Sequence, residues 1–129
     1  MDIKLFDDPL ESPRPREDVR IRQIGLFLYP DLRRMQFGVE LTPFVERPSL
    51  EVTIMNGNSA PAGSLHVIET LTPNFNLTMH FRDPEMTNPY ELTAVVYYSW
   101  PDRDKIEVDR QTIQFEVIQP GEQLFRFDA

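Results

Sequence analysis

Residues Tyr90 to Trp100 read Y-E-L-T-A-V-V-Y-Y-S-W. This is the longest run of strand-forming residues in the chain. Leu92, Ala94, Val96 and Tyr98 fall on one alternating face, and Thr93, Val95, Tyr97 and Ser99 on the other. Both faces are partly apolar. Such a strand belongs in the middle of a sheet, with a neighbour on each side.

Shorter strands are expected around it. Val19–Tyr29, with Gly25 as the place for a bulge, comes first. Met35–Thr42 and Ser49–Met55 alternate cleanly, and Asn56-Gly57-Asn58 is a strong turn signal. Ser64–Leu71 and Phe75–Phe81 follow. After the central strand, Pro101-Asp102-Arg103-Asp104 marks a hairpin tip. Residues 105–119 form the last strand, and its apolar phase slips: Ile106 and Val108 are even, whereas Ile113, Phe115 and Val117 are odd. One bulge near Arg110-Gln111 restores a single core face. Residues 1–18 read as an extended, proline-containing acidic lead-in, 19–119 as the domain, and 120–129 as a tail whose Q-L-F-R-F segment clips to the surface.

Composition agrees with an all-β domain. The 129 residues include 12 Pro and 5 Gly, and 40% are hydrophobic. No stretch of ten or more residues shows uncontested helical spacing. The net charge of −8 argues against nucleic acid and anionic membranes as partners. Arg14, Arg16, Arg20 and Arg22 share one parity. On a continuous extended chain they form either a docking stripe for an acidic partner or the charged guard of an edge strand. There is no Cys, which excludes disulfides and zinc-thiolate sites and fits a reducing compartment. The acidic N-terminus has no apolar h-region, and no apolar run spans 18 residues, so a cytoplasmic location is expected.

Seven strands of this length, separated by turn signals, indicate an antiparallel β-sandwich with Greek-key connections. The pattern resembles immunoglobulin-like and fibronectin type III-like domains over residues 19–119. Tyr90-x-Leu92-x-Ala94-x-Val96 carries the resemblance. Tyr90 stands where those folds place a tyrosine corner, whose hydroxyl bonds back to the main chain. The core Trp and the cysteines of many such domains are missing. The resemblance implies that strands three, four, six and seven share one sheet.

On that arrangement Thr53, Met55, His66, Ile68, Val95 and Tyr97 point outward together. A patch this apolar is seldom bare on a monomer. It is covered by a second copy, by another protein, or by the chain's own tails (Leu124, Phe125 and Phe127, or Ile3 to Phe6). The leading expectation is therefore a non-enzymatic protein–protein interaction module, a homodimer or a docked domain. Its partner-binding residues are Met55, His66, Ile68, Val95 and Tyr97.

The alternative is a carbohydrate or calcium module built on the 98–109 hairpin, with Trp100 as the stacking surface and Asp102 and Asp104 as oxygen donors. Asp102, Asp104, Glu107 and Asp109 crowd that hairpin, but Arg103 and Lys105 interleave with them. His66 and His80, the only imidazoles, fall in different sheets and make a poor metal site. No nucleophile elbow and no phosphate-binding Gly-rich loop is present, so no catalytic residue, cofactor or metal is expected.

Overall fold

The computed structural model describes residues 11–84 and 87–117, and the main chain of 123–127. Among them are eight strands: β1 (Ile21–Leu28), β2 (Arg34–Leu41), β3 (Ser49–Met55), β4 (Pro61–Val67), β5 (Asn74–His80), β6 (Tyr90–Trp100), β7 (Arg103–Phe115) and β8 (Gln123–Phe127). They form two four-stranded antiparallel sheets, ordered β5-β2-β1-β8 and β4-β3-β6-β7. The chain is an all-β sandwich, and its third, fourth, sixth and seventh strands share one sheet as the immunoglobulin-like resemblance implied. β6 lies inside that sheet, between β3 and β7.

Alternation explains the core. Ile24, Leu26 and Leu28 of β1 meet Met35, Phe37 and Val39 of β2 on one side. Leu50, Val52 and Ile54 of β3 meet Leu92, Ala94 and Val96 of β6 on the other. Each large side chain fully removed from water contributes about 1.5–3 kcal/mol before the entropy of ordering is subtracted.

Several local details differ from the pattern read in the sequence. The slip in β7 is a bulge, but it lies at Val108: Val96 faces Asp109, and the next β6 residue, Tyr97, faces Glu107. The irregularity in β1 falls between Ile21 and Gln23, not at Gly25, which pairs directly with Gly38. β4 begins at Pro61, three residues early, because an edge strand tolerates Pro at its first position. A Cβ on Gly63 would lie 2.8 Å from the His80 carbonyl oxygen, so β4 passes the end of β5 too closely for a side chain.

The C-terminal segment is a strand and not a surface clip. β8 pairs with β1 from Gln23↔Phe127 to Phe27↔Gln123. This makes β1 an interior strand, and of Arg14, Arg16, Arg20 and Arg22 only Arg22 lies in it, so the four do not guard a strand edge together. Nor do they form one stripe. A 3-10 turn at Arg16–Asp18 breaks the extended chain. Arg16 lies over the Trp100 ring, while Arg20 donates to the carbonyls of Glu17 and Val19. The Ile21 amide lies beyond the reach of β8 and donates instead to Asp109 of β7 at 2.7 Å, tying the two sheets together.

Tyr90 anchors one end of the core. Its ring is buried, stacked on Phe115 and edge-on to Phe81. Where a tyrosine corner is expected to bond the main chain, the hydroxyl donates to the side-chain carboxylate of Asp83 at 2.7 Å. Asp83 also accepts from the Thr87 amide and hydroxyl and from the Asn56 side chain. Burial pushes the Asp83 pKa up, but these four donors outweigh it and hold the carboxyl below its ordinary value. Burial, then the neighbouring carboxylate, pushes the Tyr90 phenol up. Gly57 seals the same corner: its amide donates to the Thr87 carbonyl at 2.7 Å, and a Cβ there would stand 2.5 Å from the Asn88 oxygen.

Because the folded carboxyl is the stronger acid, Asp83 stabilises the fold above its ordinary value of 3.8. That contribution drains away as pH falls through the lower folded value. Asp83→Asn is therefore expected to cost about 1–3 kcal/mol at neutral pH. Urea unfolding from pH 7 to pH 2.5 should show the gap between the two proteins narrowing as the solution becomes more acid. Gly57→Ala should cost about 1–3 kcal/mol, since backbone rather than a flexible side chain must give way; its urea midpoint checks this.

Candidate functional site

The outer face of the β4-β3-β6-β7 sheet is read from its register. His66, Glu51, Val95 and Arg110 form one row across the four strands. Ser64, Thr53, Thr93 and Thr112 form the next toward the start of β6. On the other side Tyr97 pairs with Ser49 and Glu107. Met55 lies farther along β3, opposite Glu91.

Val95 and Tyr97 point outward yet are only 8% and 4% exposed. Their cover comes from neighbouring strands. Lys105 of β7 places its ammonium 4.6 Å from the centre of the Tyr97 ring. The same ammonium reaches Glu51 of β3 at 3.7 Å. β6 lies between β7 and β3, so this ion pair crosses above it as a strap. Arg110, which pairs with Val95 in the register, makes a two-pronged ion pair with Glu107 of its own strand. The Tyr97 hydroxyl shares a hydrogen bond with His66 Nε2, which fixes the phenol at the β4 side.

The expected patch is therefore only partly assembled. Val95, Tyr97 and His66 are together, and Met55 is half-buried at the far end of β3. Ile68 is 63% exposed but lies beyond the last residue of β4. β8 belongs to the opposite sheet, so Leu124, Phe125 and Phe127 do not lie over this face. Ile3 to Phe6 fall outside the described residues. What the sequence missed is the strap. Its signal is the presence of Glu51 and Lys105 at outward positions on the two strands that flank β6.

The hairpin of the alternative reading is also occupied by the protein's own groups. Trp100 stacks with Tyr98 and has Arg103 and Arg16 over its ring, at 4.6 and 5.1 Å. A sugar stacking there must displace a guanidinium. The Tyr98 hydroxyl donates to the Glu46 carbonyl at 2.8 Å. Burial, then the Glu46 charge, pushes its pKa up to about 12. Asp102 and Asp104 are exposed, Glu107 is engaged by Arg110, and Asp109 accepts from the amides of Ile21 and Arg110. Among the described residues, no three His, Asp or Glu side chains converge on a point where a metal would sit. No helix among them is long and apolar enough to cross a membrane.

No protein-family model and no curated protein matches the sequence. Among solved structures, the chain is similar to a glycosyl hydrolase family 2 member from Bacteroides cellulosilyticus. The TM-score is 0.50 at 13% identity, over 77% of this chain and 15% of that one. A second structure of a glycosyl hydrolase family 2 member from the same species gives a TM-score of 0.48, also at 13% identity, over 77% and 14%. The likeness is one of fold, a β-sandwich, and this chain spans about 15% of the length of the first hydrolase.

Exposed ion pairs contribute about 0–1 kcal/mol. Lys105→Ala should therefore leave the urea midpoint nearly unchanged while uncovering the Tyr97 ring. Iodination followed by peptide mass mapping should show Tyr97 reacting faster in the variant than in the parent protein.

Proposed function

We propose that this chain is a non-enzymatic interaction module that pairs with a second copy of itself through the outer face of the β4-β3-β6-β7 sheet. One observation carries the reading: beside the buried, outward-pointing Val95, the Tyr97 ring lies under a strap of two half-exposed charged side chains, Lys105 and Glu51. Removing the Lys105–Glu51 strap costs little in solvent-screened surroundings. The tyrosine beneath it has the character of an interface anchor, a large ring with a polar tip and few rotatable bonds, surrounded by a polar rim.

Charge favours a second copy as the occupant. The whole chain carries −8, which opposes close approach of two copies over most of their surface. The charged strand residues of this face are Glu51, Glu91 and Glu107 against Lys105 and Arg110: three acids less two bases, or −1. A two-fold axis near Tyr97 sets each copy's Lys105 against the other's acids, as a self-complementary interface requires. The absence of Cys supports a cytoplasmic setting, where thiols and disulfides play no structural part.

Light scattering over a wide concentration range tests the reading. The mass should rise from 15.1 kDa toward twice that value. Lys105→Glu places a third acid beside Glu51 and Glu107 and should weaken association about tenfold, or about 1.4 kcal/mol. A mass that stays monomeric throughout, or a dimer indifferent to Lys105→Glu, overturns the proposal.

A further inference from the structure

The far end of the sandwich carries a feature unrelated to the Tyr97 face. A cleft of about 630 Å³ opens between the β1–β2 turn and the end of β5. Asp31, Leu32 and Arg33 line one side; His80, Arg82 and Pro84 line the other. The main chain fixes these two sides against each other. The Phe81 amide donates to the Arg33 carbonyl at 2.8 Å, the Arg82 amide donates to Ala62 at 2.7 Å, and Arg34 pairs across the sheet with His80. Arg33 and Arg82 thus come from segments far apart in sequence and flank one opening.

Hydrogen-bond partners are unevenly shared among the charged groups of this cleft. Its two carboxylates are already committed. Asp31 accepts from the Arg33 amide and from Arg34 Nε, and Asp83 accepts from its four donors. Arg34 is paired with Asp31 and lies over the Tyr29 ring. By contrast, no acceptor engages the guanidinium of Arg33 or Arg82 among the described residues. Arginines elsewhere behave differently. Arg14, Arg16, Arg22 and Arg110 each have a carboxylate, Arg20 has main-chain carbonyls, and Arg103 has Trp100. Arg47 is the exception, with no partner among the described residues, but it lies on the β2–β3 loop, outside this cleft. In a chain so rich in acids, two unpaired guanidinium groups across one cleft stand out.

The turn that presents Arg33 is strained. Leu32 holds φ at +59°, a conformation that a branched side chain rarely adopts. Its side chain packs against the core, which keeps the backbone there. Residues held this way collect at ligand-binding positions.

The geometry points to a binding site for a small dianion whose oxygens are gripped by the Arg33 and Arg82 guanidinium groups and the His80 imidazole. Planar guanidinium forks match the paired oxygens of phosphate or carboxylate, and two forks facing one opening suit a ligand that offers more than one such oxygen pair or edge. The shared chemistry is that of a phosphate monoester and of a dicarboxylate.

Amide spectra of the ¹⁵N-labelled chain, titrated with inorganic phosphate, with succinate and with sodium chloride at matched ionic strength, test this. Saturable shifts of the Arg33, His80 and Arg82 amides are expected with one dianion and not with chloride. A response to phosphate assigns a phosphorylated ligand; a response to succinate assigns a dicarboxylate. Arg33→Ala and Arg82→Ala should each weaken binding about tenfold, the scale of one charge-assisted pair. Arg47→Ala should leave it unchanged. Both cleft arginines are exposed, so the variants should keep the parent's urea midpoint. Shifts that do not saturate, that chloride reproduces, or that survive in the double variant overturn the site.

Discussion

The carboxylate of Asp83 is the constraint on which one end of this sandwich depends. A charge withdrawn from water must find donors. Here they come from Asn56 in the β3–β4 turn, Thr87 in the β5–β6 loop and Tyr90 at the start of β6. Two parts of the sequence, the 83–90 stretch and the β3–β4 turn, are therefore held at one point. Tyr90 carries that polar constraint into the core, because its ring packs between Phe81 and Phe115. The start of the central strand is thus positioned by a polar tip and an apolar body on the same side chain. The close passage of Gly57 against Asn88 follows from the same gathering of loops.

At the outer surface of the same sheet, a different compromise operates. A central strand needs β-branched and aromatic residues to pair well on both sides, and this makes its outward positions apolar as well. Lys105 and Glu51 resolve the resulting exposure with their aliphatic stems, keeping their charged ends in water. The result is an apolar centre hidden by groups that bind it weakly.

Periodicity made the seven central strands and the placing of β3, β4, β6 and β7 in one sheet legible, because strict alternation has one physical reading. The phase slip in the last strand was legible as a bulge, although its position was not: the apolar pattern constrains the residues on either side of a bulge more tightly than the extra residue itself. The β8 segment was hidden by its brevity, and its partner, β1, lies almost a hundred residues away. The role of Asp83 was not legible, because nothing local marks a carboxylate for burial. The face around Tyr97 was legible as apolar and in need of cover, but not as covered by side chains of its own neighbouring strands. A strap between residues two strands apart is a property of the folded sheet, not of any one segment. The pairing of Arg33 with the 80–82 segment has the same character.

The last strand of the sandwich pairs with the first. On the ribosome, the chain emerges in order, and β1 waits with one edge unpaired while all the other strands are made. The β5-β2-β1-β8 sheet is incomplete until residues 123–127 have left the exit tunnel. Folding of this sheet thus waits on residues 123–127, and a chain truncated before them leaves the central part of β1 open to pairing with another chain.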